Sequence, residues 1–261
     1  MTDVQNQPDV RGIKIQRTGV TRVHLPFLIS DGEKIQPVTA QIQFTVALAD
    51  NLRGTHMSRL VEILTDWTQQ PIAIHDVEKI LLDALEKLST DFAAITIAFK
   101  FFVEKLSPIS SKASLSAVDC EFIGELNRGG RMKFTLGLIV PFTSLCPCSK
   151  EIAEFGAHNQ RSICRVKLTF KDFDNVSITE LVKLIEAQGS AEIFPLLKRD
   201  DEKFVTEAAY QNPKFVEDIL RDVVTAIRGV KSLAAFEVEC ENFESIHNHN
   251  AFASHAETLE T

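Results

Sequence analysis

The stretch GVTRVHLPFLISDGEKIQPVTAQIQFTVAL, residues 19–48, decides the fold. GVTRVHLPFLI (19–29) and VTAQIQFTVAL (38–48) are rich in β-branched and apolar residues, and SDGEK (30–34) between them is turn-like, so two strands are expected. Downstream the period changes. Met57, Leu60, Val61 and Leu64 recur at helical spacing, and a second helix is expected from Asp76, with Val77, Ile80, Leu81, Ala84, Leu85 and Leu88 on one face. AAITIAFKFFVEKL (93–106) returns to strand character, and residues 114–142 read as two strands joined at NRGG (127–130).

The second half partly repeats this order. RSICRVKLTFKDF (161–173) reads as a strand. SITELVKLIEAQG (177–189) reads as a helix capped by Ser177, with Glu180 three residues on in a capping-box arrangement. NPKFVEDILRDVVTAIRG (212–229) is a longer helix ended by Gly229, and LAAFEVECENFES (233–245) is expected to be the final strand. Each half thus holds strand pairs and two helices. The expectation is an α+β protein with two tandem modules, each an antiparallel sheet with two helices packed on one face. The first module is placed at residues 13–112 and the second at 113–255. A polar, aperiodic arm (1–12) precedes them and a tail (256–261) follows.

Composition narrows the function classes. The chain has 261 residues, 44% hydrophobic and 25% charged, which suits an ordinary globular protein. A net charge of −8 argues against a nucleic-acid-coating protein, whose affinity is built from clustered Lys and Arg. No apolar run approaches the roughly 20 residues of a membrane helix. Five cysteines, an odd count, and a polar start suggest a reducing compartment, so the cytoplasm is expected.

Chemistry concentrates in TSLCPCSKEIAEFGAHNQRS (143–162). The one-residue spacing of Cys146 and Cys148 is a poor match to a C-x-x-C redox pair. A closed structural zinc site needs four ligands. Cys120, Cys164 and Cys240 stand singly in strand-like segments, where free cysteine fills the core. From spacing alone two readings stay open: a mixed-ligand metal site built on Cys146, Cys148 and His158 and short of one acid, or a pair of ordinary loop cysteines. Two further stretches bear on the choice. LLKRDDEKFVTE (196–207) is densely charged and reads in itself as a solvated loop. NFESIHNHNAFASH (242–255) places His247 and His249 two residues apart beyond the final strand, where an extended chain turns both imidazoles to one side. His24, His56, His75 and His255 read as surface or satisfied core residues.

Together, SLCPCSKEIAEFGAHNQRS, LLKRDDEKFVTEAAYQNPKFVEDILRD and ENFESIHNHNAFA, in this order, resemble the type IB GTP cyclohydrolase I family, over roughly Val10 to His255. The resemblance implies the tunnelling fold (T-fold), a homotetramer with active sites near subunit interfaces, and GTP as substrate. It implies Cys146, His158 and Glu202 as ligands of one divalent metal per site, and Cys148 as an essential thiol beside it. Glu217 would hold guanine, and His247 and His249 would be active-site acid/base groups. Such a mixed donor set suits zinc, manganese or iron(II). Lys150, Arg161, Lys198 and Arg199 are the cations nearest these motifs for the triphosphate. The implied activity feeds tetrahydrofolate synthesis, and modified-guanosine synthesis is a second possible outlet. The rivals are another tunnelling-fold purine or pterin enzyme, such as a nitrile reductase or pterin aldolase, and a non-catalytic GTP- or metal-binding protein.

Overall fold

The computed structural model describes residues 5, 7–172 and 176–259. It is an α+β structure in which long strands alternate with helices. The elements are β1 (Ile15–Asp31), β2 (Lys34–Leu48), α1 (Met57–Trp67), β3 (Pro71–Ile72), α2 (Ile74–Lys87), β4 (Phe92–Leu106), β5 (Ala113–Asn127) and β6 (Lys133–Leu145). They continue as α3 (Pro147–Ile152), β7 (Asn159–Phe170), α4 (Ile178–Glu186), α5 (Arg199–Gln211), α6 (Val216–Arg228), β8 (Leu233–Asn242) and β9 (Ala251–Thr258). Hydrogen bonding orders the nine strands β3-β1-β2-β4-β5-β6-β7-β8-β9.

The opening stretch forms the antiparallel β1–β2 hairpin, with Asp31 opposite Lys34 as the last pair. Only Gly32 and Glu33 lie between them, and Gly32 takes φ +64°, a conformation open to glycine at no steric cost. Side chains alternate along the strands, so Ala40, Ile42 and Phe44 of β2 and Ile95, Ile97, Phe99 and Phe101 of β4 are all buried.

Two compact units divide the chain. The first comprises residues 1–100, 121–136 and 170–176. Phe99, Phe122, Phe134 and Phe170 form an aromatic run through it, with successive ring centroids 5.1, 5.6 and 6.5 Å apart. Such edge-on and tilted contacts add to the area buried. The helix expected from Met57, Leu60, Val61 and Leu64 forms as α1, but its buried stripe is Leu60, Ile63, Leu64 and Trp67, while Met57 and Val61 are exposed. α2 begins at Ile74, because the Asp76 carboxylate accepts the Ala73 N–H at 2.9 Å and fixes the first turn two residues early. A Cβ at Gly124 of β5 would stand 2.7 Å from Val77 Cγ1 and 3.0 Å from Leu81 Cδ1, so the missing side chain lets α2 seat closely. Of the arm expected to be loose, residues 1–4 and 6 lie outside the described residues. Gln5, Gln7 and Asp9 hydrogen-bond through their backbones to Gly54, Arg53 and Asn51.

The second unit comprises residues 101–120, 137–169 and 177–261. Here α6 buries Val216, Ile219, Val223 and Ile227, and packs on β8 and β9. α4 starts as expected, with Ser177 Oγ accepting the Glu180 N–H at 3.3 Å. Ser177→Ala is expected to cost about 0.5–2 kcal/mol in denaturant unfolding.

Two expectations are corrected in this unit. The charged stretch 196–207 is not a loop: from Arg199 it is α5. Three acids, Asp200, Asp201 and Glu202, occupy the helix's positive N-terminal turn. LAAFEVECENFES does not end the sheet either, since β8 stops at Asn242 and β9 pairs back on it, with Asn242 opposite Ala251. β9 also takes in residues 256–258 of the expected tail, while residues 260 and 261 lie outside the described residues.

Candidate active site

Every residue singled out from the motifs lies in the second unit. β6 delivers the chain to Cys146, the N-cap of α3, whose Sγ accepts the Ser149 N–H at 3.5 Å. Pro147 opens the helix, where a missing N–H costs nothing. His158 precedes β7, and its backbone is tied to this turn twice. Its carbonyl accepts the Cys146 N–H at 3.1 Å, and its N–H donates to Ser149 Oγ at 3.1 Å. The main chains of Cys146 and His158 are therefore joined at one turn. Cys148, on α3, is exposed.

The connection between β8 and β9, residues 243–250, joins the same place. Phe243 N–H donates to the Arg161 carbonyl at 3.1 Å, and Glu244 Oε2 lies 3.8 Å from His158 Nδ1. His247 and His249 sit further along this connection and are exposed. The chain there is irregular and not extended, yet the two imidazoles stack, with centroids 5.0 Å apart and planes within 15°. Asn250 and Arg165 both donate to Glu241 at 2.8 Å, which anchors the far end of the connection and holds the Glu241 carboxyl below its ordinary range.

Glu217 stands exposed in the first turn of α6. The approach to that helix is fixed beside the cysteine turn, because Lys214 N–H donates to the Leu145 carbonyl at 3.0 Å. Lys150 Nζ donates to the Tyr210 carbonyl and lies 4.3 Å from the centroid of the Tyr210 ring. Arg161 is exposed, as are Lys198, Arg199 and Glu202 at the start of α5.

The first turn of α5 is held elsewhere. Asp201, fully buried, accepts from Ile109 N, Ser110 N, Ser110 Oγ and Lys198 N at 2.6–2.8 Å; burial pushes its carboxyl up, but these bonds together outweigh it and hold the group far below the usual range. Glu202 is eight residues from Tyr210, or roughly 12 Å along the helix axis. Among the described residues, no hydrogen bond or ion pair links Glu202 to Cys146 or His158. Likewise, among the described residues, no three of His, Cys, Asp and Glu converge as a metal cluster. The donor chemistry of Cys146 and His158 suits a divalent metal, but a single chain does not place Glu202 beside them.

Three residues of the site escaped the motif reading. Ser149 ties His158 to the cysteine turn, Glu244 faces the imidazole, and Gln160 is described below. His158 and Gln160 are two residues apart on an extended segment and so share a face, the one signal that could have found Gln160.

The architecture is shared with solved structures. A uricase from Arthrobacter globiformis superposes with a TM-score of 0.56 over 94% of each chain, at 7% identity. A uricase from Bacillus fastidious superposes with a TM-score of 0.54 over 94% of this chain and 93% of that one, at 8% identity. The fold is thus of the tunnelling-fold class. Sequence comparison refines this. The family model for type I GTP cyclohydrolase folE2 matches residues 1–253. GTP cyclohydrolase FolE2 of Geotalea uraniireducens is 45% identical over 97% of this chain and 92% of its own length. That of Nitrosomonas eutropha is 46% identical over 97% and 94%. The chain belongs to the FolE2 family of type I GTP cyclohydrolases.

Proposed function

We propose that this protein is a GTP cyclohydrolase I of type IB. It opens the imidazole ring of GTP hydrolytically, releases formate, and rearranges the remainder to 7,8-dihydroneopterin triphosphate at the head of tetrahydrofolate synthesis. The observation that carries this reading is the family match across residues 1–253, within which the motif cysteines, histidines and acids all fall.

Cys146, His158 and Glu202 would hold one divalent metal, with zinc, manganese and iron(II) all compatible with a thiolate, imidazole and carboxylate set. When bound, the metal supplies Lewis acidity that lowers the pKa of water toward ~7. The rest falls to side chains. The Glu217 carboxylate accepts from the ring N–H and exocyclic amine of guanine, a donor pair that adenine lacks, so a mismatched base leaves polar groups unpaired. His247 and His249 exchange protons with ring nitrogens and ribose oxygens, for which imidazole titrates in the right range. The exposed Cys148 thiol faces substrate. Lys150, Arg161, Lys198 and Arg199 supply cations for the triphosphate.

The element order supports two tandem modules. Two strands, α1 and α2, then β4 and β5 are followed by β6 and β7, α4 to α6, then β8 and β9. Each would be an antiparallel sheet with helices on one face. A homotetramer with active sites near subunit interfaces completes the reading. The exposed Lys198, Arg199 and Glu202, unconnected to their own chain's Cys146, suit such a shared site. Among the described residues no helix is long and apolar enough to cross a membrane. We place the enzyme in the cytoplasm, the compartment suggested by its odd number of cysteines.

The test is incubation of the purified protein with GTP and manganese or zinc, measuring formate and the fluorescent oxidised pterin. Stoichiometric formate and pterin are expected. A folded protein that binds GTP or metal yet releases neither product with any divalent ion overturns the reading.

A further inference from the structure

We propose that Gln160 is a positioning residue, which fixes His158 in the tautomer carrying its proton on Nδ1 and so keeps the Nε2 lone pair available. The inference rests on the reading of His158 as a metal ligand, and it concerns a side chain with no role in the scheme above. Gln160 Oε1 lies 2.9 Å from His158 Nδ1, and the Gln160 side chain is itself buried, with 7% exposure. Its other end reaches inward. Nε2 donates to Ser144 Oγ at 2.9 Å, and Ser162 Oγ donates to the same Ser144 oxygen at 2.8 Å. Ser144 and Ser162 are both fully buried.

An amide has a donor end and an acceptor end, so anchoring one determines what the other presents. With the NH₂ committed to Ser144, the carbonyl faces the imidazole, and Nδ1 must donate. Glu244 Oε2 lies 3.8 Å from Nδ1, beyond hydrogen-bond distance, and its negative charge favours a proton on that side of the ring. A neutral imidazole has one proton, and the Gln160 acceptor, with the carboxylate charge nearby, holds it on Nδ1. The backbone of His158 is already bound to Cys146 and Ser149, and among the described residues no bond reaches Nε2. The ring is thereby fixed in place and its free lone pair selected before any ligand arrives. A neutral amide does this without adding a further charge beside a thiolate. Partners of this kind are typically worth 10–100-fold in metal affinity.

The test uses the full-length protein in three forms: native, Gln160→Leu and Gln160→Glu. Zinc affinity is measured by competition with a chromophoric chelator, and the His158 tautomer is read from imidazole ¹⁵N shifts in the metal-free protein. The native protein should show the Nδ1–H form. Gln160→Leu should weaken zinc about 10–100-fold and give mixed tautomers, whereas Gln160→Glu, which retains an acceptor, should keep the Nδ1–H form. An Nε2–H form in the native protein overturns the proposal, and that measurement needs no variant to fold. So does a folded Gln160→Leu protein with native affinity and tautomer. Failure of the native protein to bind zinc, manganese or iron(II) would instead refute the metal reading, with the ¹⁵N shifts still deciding the role of Gln160.

Discussion

Cys146→Ala is expected to lose bound metal, whereas Cys148→Ala should keep metal and lose turnover, by about 10²–10⁴-fold in kcat, the range for a group that transfers a proton. The two cysteines are only two residues apart, but the helix start separates them. Cys146 is the N-cap of α3, half-buried, with its sulfur accepting the Ser149 N–H and its own N–H committed to the carbonyl of His158. Cys148 lies inside α3 and is exposed. Metal content of the purified variants, set beside formate release, measures the division. Equal metal loss in both would show that the roles are wrongly split, and full turnover in Cys148→Ala would remove that thiol from the chemistry.

The parts of this fold legible in the sequence are those whose burial imposes a period. β2, β4, β5 and β6 alternate large apolar side chains with exposed ones, and α2 and α6 carry stripes wide enough to seat a helix. α5 imposes no such period, because only Asp201 and Ala209 are buried along its 13 residues. Its stability comes from an N-terminal carboxylate held by the 107–112 turn, a partner some 90 residues away in sequence and invisible to local pattern. β9 escaped for a related reason. It is an edge strand whose Phe252 and His255 are exposed, so its alternation is weak.

The site divides along the same line. Cys146, His158 and the His247/His249 pair stand out by residue type. Gln160 and Glu244 acquire meaning only when β7 and the 243–250 connection are seen to meet at His158. The proposed pairing of Glu202 with Cys146 and His158 has no local signature at all. Motif resemblance named it, and the isolated chain holds it apart from its proposed partners.

Lys105→Met is expected to destabilise the protein by about 3–5 kcal/mol, because it strands a buried carboxylate. Lys105 and Glu186 have side-chain exposures of 7% and 6%, and form an ion pair inside the second unit. Lys105 Nζ also donates to the Ile193 carbonyl at 2.8 Å and sits 4.5 Å from the centroid of the Phe194 ring. Glu186 in turn accepts the Ile193 N–H at 3.3 Å. The pair thus holds both backbone groups of Ile193, while Ser107 Oγ donates to the Leu196 carbonyl at 2.7 Å and Asp201 receives Lys198 N–H. These bonds fix the segment that presents Lys198, Arg199 and Glu202.

Burial raises the Glu186 carboxyl despite the opposing pull of Lys105. Its folded state therefore binds the proton more tightly than the unfolded chain does. The contribution of this group to stability accordingly falls as pH rises from the unfolded carboxylate range, about 4.3, through the raised folded value. Removing Lys105 raises it further, so the variant's deficit should be largest near neutrality and shrink as Glu186 becomes protonated. Urea unfolding at neutral and mildly acidic pH checks this, and a pH-independent deficit would assign the loss to packing and not to charge. Glu186→Leu added to Lys105→Met should recover much of the stability, since replacing both charges removes the desolvation penalty. It should not recover function to the same degree, because Ile193 still lacks its two partners and the segment before α5 is loosened. A raised KM for GTP with restored stability is the expected outcome. Recovery of both would mean that Ser107 and Asp201 alone suffice to hold the cations proposed for the triphosphate.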